Sequence, residues 1–208
     1  MTEFDLIKSN LETLSTVVDS VEVHASTDKT RTVLHALAVT AKGEWVATNG
    51  HTLALVTVDP GRGWEPWTSE EDQTVLLPAK TLRQALAAAR KVVPKRAQAA
   101  TPAVITVGQG RWTLTVGGNV TAGELVPGPF PNWRAVWPAD PDTPPVYKET
   151  GWASNVLAQV AESGHRLGDN LIFSWRWHGV LQPSVAKTHT WLGDSRATLT
   201  VLAMPARI

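Results

Sequence analysis

Apolar residues along the chain switch between a helical spacing and a strand spacing, and this switch occurs three times. The first helical stretch opens at Ser9-Asn-Leu-Glu12, which has the S-x-x-E spacing of a capping box. Its apolar positions share one helix face: Leu11, Leu14, Val17, Val18 and Val21. Comparable helical stretches begin near Ala79, directly after Pro78, and near residue 153. The pattern therefore predicts three helices, each followed by a group of strands.

The stretches after each helix alternate apolar and polar residues between Gly, Pro, Asn and Asp, as strands and turns do. The predicted strands are 32–40, 44–48, 52–59, 103–107, 111–116, 120–126, 171–177, 179–182, 188–192 and 197–204. A recurrence of about 70 residues indicates repetition of one supersecondary unit. We predict an α+β protein of three helix-on-antiparallel-sheet units, at 1–70, 71–138 and 150–208, with a proline-rich linker at 139–149.

The composition is typical of a globular protein whose overall charge does not attract nucleic acid. Of its 208 residues, 43 % are apolar and 18 % charged, and 19 basic residues balance 19 acidic ones. A net charge of zero argues against a protein that coats nucleic acid by overall attraction, but it leaves room for one locally basic face. There is no cysteine, so disulfides and thiolate metal sites are excluded. The N-terminus lacks a signal-peptide pattern and no apolar run reaches membrane-spanning length, so we expect a cytoplasmic protein without a membrane partner.

The residues that usually carry catalysis do not form a recognisable pattern. Six histidines are scattered without metal-ligand spacing. The phosphate-binding loop, the dinucleotide fingerprint and the G-x-S-x-G nucleophile turn are absent from the sequence. We therefore expect a protein that is not an enzyme and that uses no cofactor and no metal.

Three segments, in order, resemble one known family. Val46-Ala-Thr-Asn-Gly-His-Thr-Leu-Ala-Leu55 resembles an ATDGHRLA-type signature, and Gly128-Pro-Phe-Pro-Asn-Trp-Arg-Ala-Val-Trp-Pro138 resembles a G-x-F-P-D-Y-R-x-V-x-P segment. Ala203-Met-Pro-Ala-Arg-Ile208 is similar to a V-M-P-M-R-L ending. All three of these signatures are those of one family, the bacterial DNA polymerase III β subunit or DNA sliding clamp, which this chain therefore resembles. The resemblance implies a non-enzymatic processivity factor that encircles duplex DNA and tethers the polymerase and the clamp loader.

The resemblance also implies a shortened clamp. Residues 1–138 are similar to the complete middle domain of the family, and 150–208 to the second half of its last domain, which gives about one and a half clamp domains. A family subunit carries six units in a ring of twelve, so a three-unit chain implies a homo-oligomer, with a tetramer favoured over a dimer. The third unit lacks a partner unit, and we expect it to expose a sheet edge. The short length suits a phage or mobile-element version.

A basic stripe on the second helix is the candidate DNA contact. Lys80, Arg83, Arg90 and Lys91 fall on one arc of that helix, and Lys95 and Arg96 continue the positive charge beyond its end. Taken alone, this pattern is more typical of a solvated helix face. In the resembled rings such cations face DNA phosphates, which suits sliding because phosphate contacts carry no sequence information. His165 and Arg166 make a smaller addition.

The three family-like segments imply a hydrophobic groove for short peptides of partner proteins. Its expected residues are Leu34, Thr48, Gly50, His51, Thr52, Leu53, Pro131, Val136, Leu202 and Met204. For Leu34, Leu53 and Val136 an ordinary core position is a strong alternative, because an apolar strand residue is usually part of the core. Thr52 stands where the family has Arg, Asn49 where it has Asp, and Ala135 where a basic residue is common, so the preferred peptide is expected to differ.

Two other functions fit the same chain. One is a clamp-derived decoy that binds replication proteins without encircling DNA. The other is an oligomeric single-stranded-DNA-binding protein whose tryptophans stack on bases, since Trp175 and Trp177 share one face of a predicted strand. Retention on circular but not linear DNA separates the clamp from both.

Overall fold

Three helices lie side by side and pack against two antiparallel sheets in the computed structural model. The structure describes residues 3–60, 64–67, 73–137, 153–169, 171–177 and 183–204. Helix α1 lies in the middle and contacts both α2 and α3. The predicted α+β class and the three helix-on-sheet units are confirmed.

The helices are α1 (Leu11–Glu22), α2 (Ala79–Val92) and α3 (Ser154–Leu167). The strands are β1 (Phe4–Asn10), β2 (Ala36–Thr40), β3 (Trp45–Thr48), β4 (Thr52–Val58), β5 (Trp64–Pro66), β6 (Thr74–Pro78), β7 (Pro102–Gly108), β8 (Arg111–Val116), β9 (Asn119–Glu124), β10 (Ser174–Trp177), β11 (Ser184–Leu192) and β12 (Ser195–Ala203). Short 3-10 helices cover Thr32–His35, Lys95–Ala100 and Trp133–Val136. None of the described helices has the length and apolarity needed to span a bilayer.

The helix starts lie within two residues of the predicted positions. Asn10, not Ser9, caps α1, because Asn10 Oδ1 accepts a 2.8 Å hydrogen bond from the Thr13 amide. Ser9 belongs to β1, a strand that the sequence pattern did not predict. Helix α2 starts at Ala79 directly after Pro78, whose missing amide hydrogen has no role at a helix start.

The first two units exchange their leading strands. β1 precedes α1 but pairs with β7, in a five-stranded sheet of order β5-β1-β7-β8-β9. β6 precedes α2 but pairs with β2, in the other sheet. Apolar alternation shows that a strand faces a core, but it does not show which strand lies beside it. The division at 70/71 therefore marks a repeat of the sequence, and the two units interlock in space.

The third unit continues the sheet of the first. β12 pairs antiparallel with β4, from Ala197 opposite Val58 to Ala203 opposite Thr52. The resulting seven-stranded sheet has the order β10-β11-β12-β4-β3-β2-β6. The expectation that the third unit lacks an internal partner is therefore wrong, because β4 covers the edge of β12. The domain limits 1–138 and 150–208 remain predictions.

The apolar residues form two clusters on opposite faces of the seven-stranded sheet. The larger lies between the helices and both sheets and contains the fully buried Trp45 and Trp112. The smaller lies on the other face, where Val126, Phe130 and Trp133 of the segment after β9 cover it. The predicted linker at 139–149, the predicted strand at 179–182 and the last four residues, 205–208, all fall outside the described residues.

Candidate functional site

A cavity of about 200 Å³ lies where the β3–β4 turn, the end of β12 and the segment after β9 meet. All ten groove residues expected from the sequence line it: Leu34, Thr48, Gly50, His51, Thr52, Leu53, Pro131, Val136, Leu202 and Met204. Asn132 and Trp133 complete the lining. These two are not among the expected groove residues, although both lie within the family-like segment at 128–138.

The β3–β4 turn is held by side chains that bond to its own backbone. Asn49 Oδ1 accepts hydrogen bonds from the amides of His51 (2.8 Å) and Thr52 (2.9 Å). The Thr48 hydroxyl donates to the Thr52 carbonyl at 2.7 Å and accepts from the Gly50 amide at 3.1 Å. Gly50 has φ of +91°, which a side chain rarely tolerates. The turn is therefore preorganised as one wall of the cavity.

A second wall comes from the third unit. Leu202 of β12 lies opposite Leu53 of β4, and the Met204 amide donates to the His51 carbonyl at 2.9 Å. Leu202 is buried, whereas 40 % of Met204 is exposed at the rim. A single chain therefore builds the cavity from residues at opposite ends of its sequence.

The third wall is the aromatic segment after β9. Trp133 is buried, and the Arg134 guanidinium lies 4.3 Å from its ring centroid. Trp137 packs edge-on against Trp133 with ring centroids 5.8 Å apart, and Arg134 forms an ion pair with Glu44. Val136 remains 45 % exposed beside these rings. An apolar slot with accessible apolar residues at its rim can bind apolar side chains of a partner.

A buried polar cluster joins the first and third units behind the turn. The His24 Nδ1 lies 2.9 Å from the Thr52 hydroxyl. Gln159 Oε1, on α3, lies 3.3 Å from that hydroxyl and accepts from Asn49 Nδ2 at 3.2 Å. Burial lowers the pKa of His24 to about 3, and the nearby positive charge of Arg166 acts in the same direction. His24 is therefore neutral at physiological pH.

The positions that depart from the family pattern have local explanations. Thr52 is 2 % exposed, and its short hydroxyl side chain fits among His24, Asn49 and Gln159. Ala135 is exposed, and the cation of this segment is its neighbour Arg134. The cavity therefore lacks a cationic side chain at both positions, which makes it more apolar.

The basic residues predicted to contact DNA divide into two groups. Arg83 and Arg90 both bind Asp19 of α1, at 3.1 Å and 2.8 Å. Lys80, Lys91, Lys95 and Arg96 are exposed. Helix α2 carries four cations and no carboxylate, whereas α1 carries three carboxylates and no cation. Positive charge is thus concentrated on the α2 side of the helix layer.

The two further basic residues predicted on α3, His165 and Arg166, also differ in their surroundings. Arg166 binds Glu22 at 3.1 Å and Glu162 at 2.8 Å, whereas the side chain of His165 is exposed. No group of three His, Asp or Glu side chains suited to a metal ion occurs in the described part of the chain.

Solved clamp structures share this fold across nearly the whole chain. The DnaN sliding clamp of Bartonella birtlesii is 17 % identical, with a TM-score of 0.65 over 99 % of this chain and 66 % of its own. The beta sliding clamp of C. crescentus is 16 % identical, with a TM-score of 0.65 over 97 % and 66 %. The sliding clamp of Pseudomonas aeruginosa is 15 % identical, with a TM-score of 0.66 over 99 % and 66 %. These similarities confirm the clamp fold, in a chain that spans just under two thirds of their length.

Sequence comparison identifies the family. No curated protein sequence matches the chain significantly. The family model for the central domain of the DNA polymerase III beta subunit matches residues 8–132, which is more than half of the chain. The chain therefore belongs to the DNA polymerase III beta subunit family.

Proposed function

We propose that this protein is a shortened DNA sliding clamp. Copies of the chain assemble into a ring around duplex DNA, and each copy tethers a polymerase or a clamp loader through the groove. The observation that carries the proposal is the cavity at the β3–β4 turn, where residues from three family-like segments form one apolar slot.

The groove is suited to a short peptide with apolar anchors. Its volume of about 200 Å³ accommodates a few apolar side chains, and Met204 can adapt its conformation to different ligands. Val136 and Met204 lie exposed at the rim and would become buried under a bound peptide. Burial of such side chains provides the main driving force for binding.

The α2 side of the helix layer supplies the proposed DNA contact. Lys80, Lys91, Lys95 and Arg96 are free to approach phosphates, whereas Asp19 neutralises much of the charge of Arg83 and Arg90. Contacts of this kind are independent of base sequence and allow movement along the duplex. The proposed ring contains four copies, and a ring of two is the alternative.

Peptide binding provides the direct test of the groove. A dye-labelled peptide carrying the clamp-binding motif of a bacterial replicative polymerase is titrated with protein while fluorescence anisotropy is recorded. The Met204→Glu substitution places a charge at the apolar rim and should weaken binding about tenfold or more. Leu157→Glu is the matched control, because Leu157 is similarly exposed (43 %, against 40 % for Met204) but lies on α3 outside the cavity lining. Equal binding by both variants would exclude this groove.

DNA retention tests the ring. Protein is loaded with a clamp loader onto nicked circular DNA, which is then linearised at one site. A clamp stays on the circle and slides off the linear form, whereas a non-encircling protein behaves identically on both.

A decoy that binds replication proteins without encircling DNA is the second candidate. It is favoured by one observation: the groove is complete within a single chain, so peptide binding needs no ring. Peptide binding without retention on the circular DNA would identify the decoy.

A further inference from the structure

The second unit has an uncovered edge that combines a strand and a helix flank. Among the described strands, none pairs with the outer side of β9, and all of its residues except Gly123 are exposed. Beside it, Ala85, Ala88, Ala89 and Val92 of α2 form an apolar groove of about 190 Å³ with the end of β8. Val92, the last residue of α2, is 74 % exposed.

The corresponding helix flank of the first unit is buried. The repeat aligns Thr13-Leu14 of α1 with Thr81-Leu82 of α2, and both leucines are fully buried. The α1 residues that correspond to the open α2 flank are Val17, Ser20, Val21 and His24, and each is 0 % exposed. Helix α3 packs along α1, where Ser163 is fully buried and Arg166 Nη1 donates to the Asp19 carbonyl.

The corresponding strand is also covered. β4, β9 and β12 each form the last strand of their unit, and β4 pairs antiparallel with β12. Val56 of β4 lies opposite the buried Trp45, as Gly123 of β9 lies opposite the buried Trp112. Because equivalent strands meet antiparallel, the first and third units are related by an approximate two-fold axis.

We propose that the outer side of β9 and the open flank of α2 bind the same surfaces of a second copy of this chain. The two β9 strands pair antiparallel about a two-fold axis, and the two α2 helices pack beside that axis. This arrangement repeats between chains the junction that β4, β12, α1 and α3 make within one chain.

Two features favour a second copy as the occupant. An antiparallel strand edge is complementary to itself under a two-fold rotation, and small alanine side chains let two helices approach closely. In the internal junction Val56 lies opposite Leu199. Leu199 is the β12 equivalent of Val56 and Gly123, because it lies opposite Thr188 of β11 at the same sequence separation as in the Trp45–Val56 and Trp112–Gly123 pairs. Transfer of that register therefore places Gly123 opposite the second Gly123 and Glu124 opposite Ala122, so the two carboxylates do not face each other.

The inference deepens the assembly part of the proposed function, on which it rests, and it is tested without DNA. Analytical ultracentrifugation compares the full chain with an Ala88→Glu variant. Ala158→Glu is the matched control, because it makes the same change at an exposed alanine of another helix, α3. Circular dichroism confirms that both variants are folded.

The wild type should sediment as an oligomer at micromolar concentration. Ala88→Glu buries a carboxylate at the junction, so its assembly mass should fall to half and its dissociation constant should rise about hundredfold. Ala158→Glu should behave like the wild type. A monomeric wild type at the highest soluble concentration, or an unchanged mass for Ala88→Glu, would overturn the proposal.

Disulfide trapping tests the strand pairing itself, since the chain contains no cysteine. Residues directly opposite in paired strands have Cβ atoms close enough for a disulfide. An oxidised mixture of Ala122→Cys and Glu124→Cys should give about threefold or more cross-linked dimer than either variant alone. An equal yield in all three samples would overturn the β9–β9 pairing. If the cysteine variants cross-link as predicted but the protein does not stay on circular DNA, the interface is supported and the proposed clamp function is contradicted.

Discussion

His24 is the residue whose chemistry depends most on its surroundings. It is fully buried between the first and third units, and its Nε2 has no hydrogen-bond partner among the described residues. A neutral imidazole satisfies the Thr52 hydroxyl, but a protonated one would place an unpaired charge in the interior. Protonation of His24 is therefore incompatible with the closed junction.

We predict that His24 makes the fold sensitive to mild acid. Its pKa is about 3 in the folded chain and about 6.5 when unfolded, so below pH 6.5 the unfolded state binds the extra proton. Stability should fall by about 1 kcal/mol per pH unit as pH decreases from 6.5 towards 3. Urea denaturation at pH 7 and pH 5 measures the slope. His24→Gln, which cannot titrate, should remove this part of the dependence, and an equal slope in both proteins would contradict the prediction.

At the residue scale, the sequence predicted most residues that line the cavity, but it did not predict the side chains that hold the β3–β4 turn from behind. Thr48, Gly50 and Met204 were found because they lie in continuous motifs whose spacing is visible in the chain. The role of Gln159 could not be predicted, because a polar residue on a helix gives no sign that it bonds to a distant turn. The cap of α1 was misplaced by one residue because Ser9 and Asn10 are both good caps, and the choice depends on where β1 ends.

Helix α2 shows how a neighbouring element modifies a sequence pattern. Its cations are spaced as one stripe, yet Asp19 of α1 binds two of them. The stripe was visible from the sequence, but the ion pairs depend on helix packing that no local pattern reports.

We predict that the exposed cations dominate DNA binding. Replacing Lys80, Lys91, Lys95 and Arg96 by Ala should lower the slope of log affinity against log salt by about one per phosphate contact removed. The Arg83→Ala, Arg90→Ala double variant should change that slope by less, because Asp19 already offsets both charges. Titration of a labelled duplex at several salt concentrations measures both slopes. A larger effect of the arginine pair would contradict this assignment.

The positions of the strands were predicted more successfully than their pairing. The segment 32–40 was expected to be one strand, but its first four residues form a 3-10 helix. Val33 packs there against the smaller apolar cluster and Leu34 lines the cavity, so neither enters the sheet ladder. Strand exchange by β1 and β6 and the β4–β12 ladder were also not predicted, since each joins residues far apart in the sequence.

At the scale of the whole molecule, strand exchange should make unfolding cooperative. β1 and β6 each belong to the sheet of the other unit, so neither of the first two units can unfold without disrupting both sheets. We predict a single transition in urea, with coincident curves from tryptophan fluorescence and far-UV circular dichroism. Ile7→Ala, a cavity-forming change at a fully buried position of β1, should shift both curves together by about 3 kcal/mol. Separation of the two curves would contradict this coupling.

The β4–β12 ladder also affects how the protein matures. β4 precedes β12 in the sequence, so β4 of a nascent chain lacks this neighbour until β12 has been translated. Contacts between such distant segments form slowly, and an uncovered strand invites aggregation meanwhile. The cavity needs Leu202 and Met204, so it forms only when β12 docks against β4. A product truncated before β12 would consequently lack the proposed peptide site.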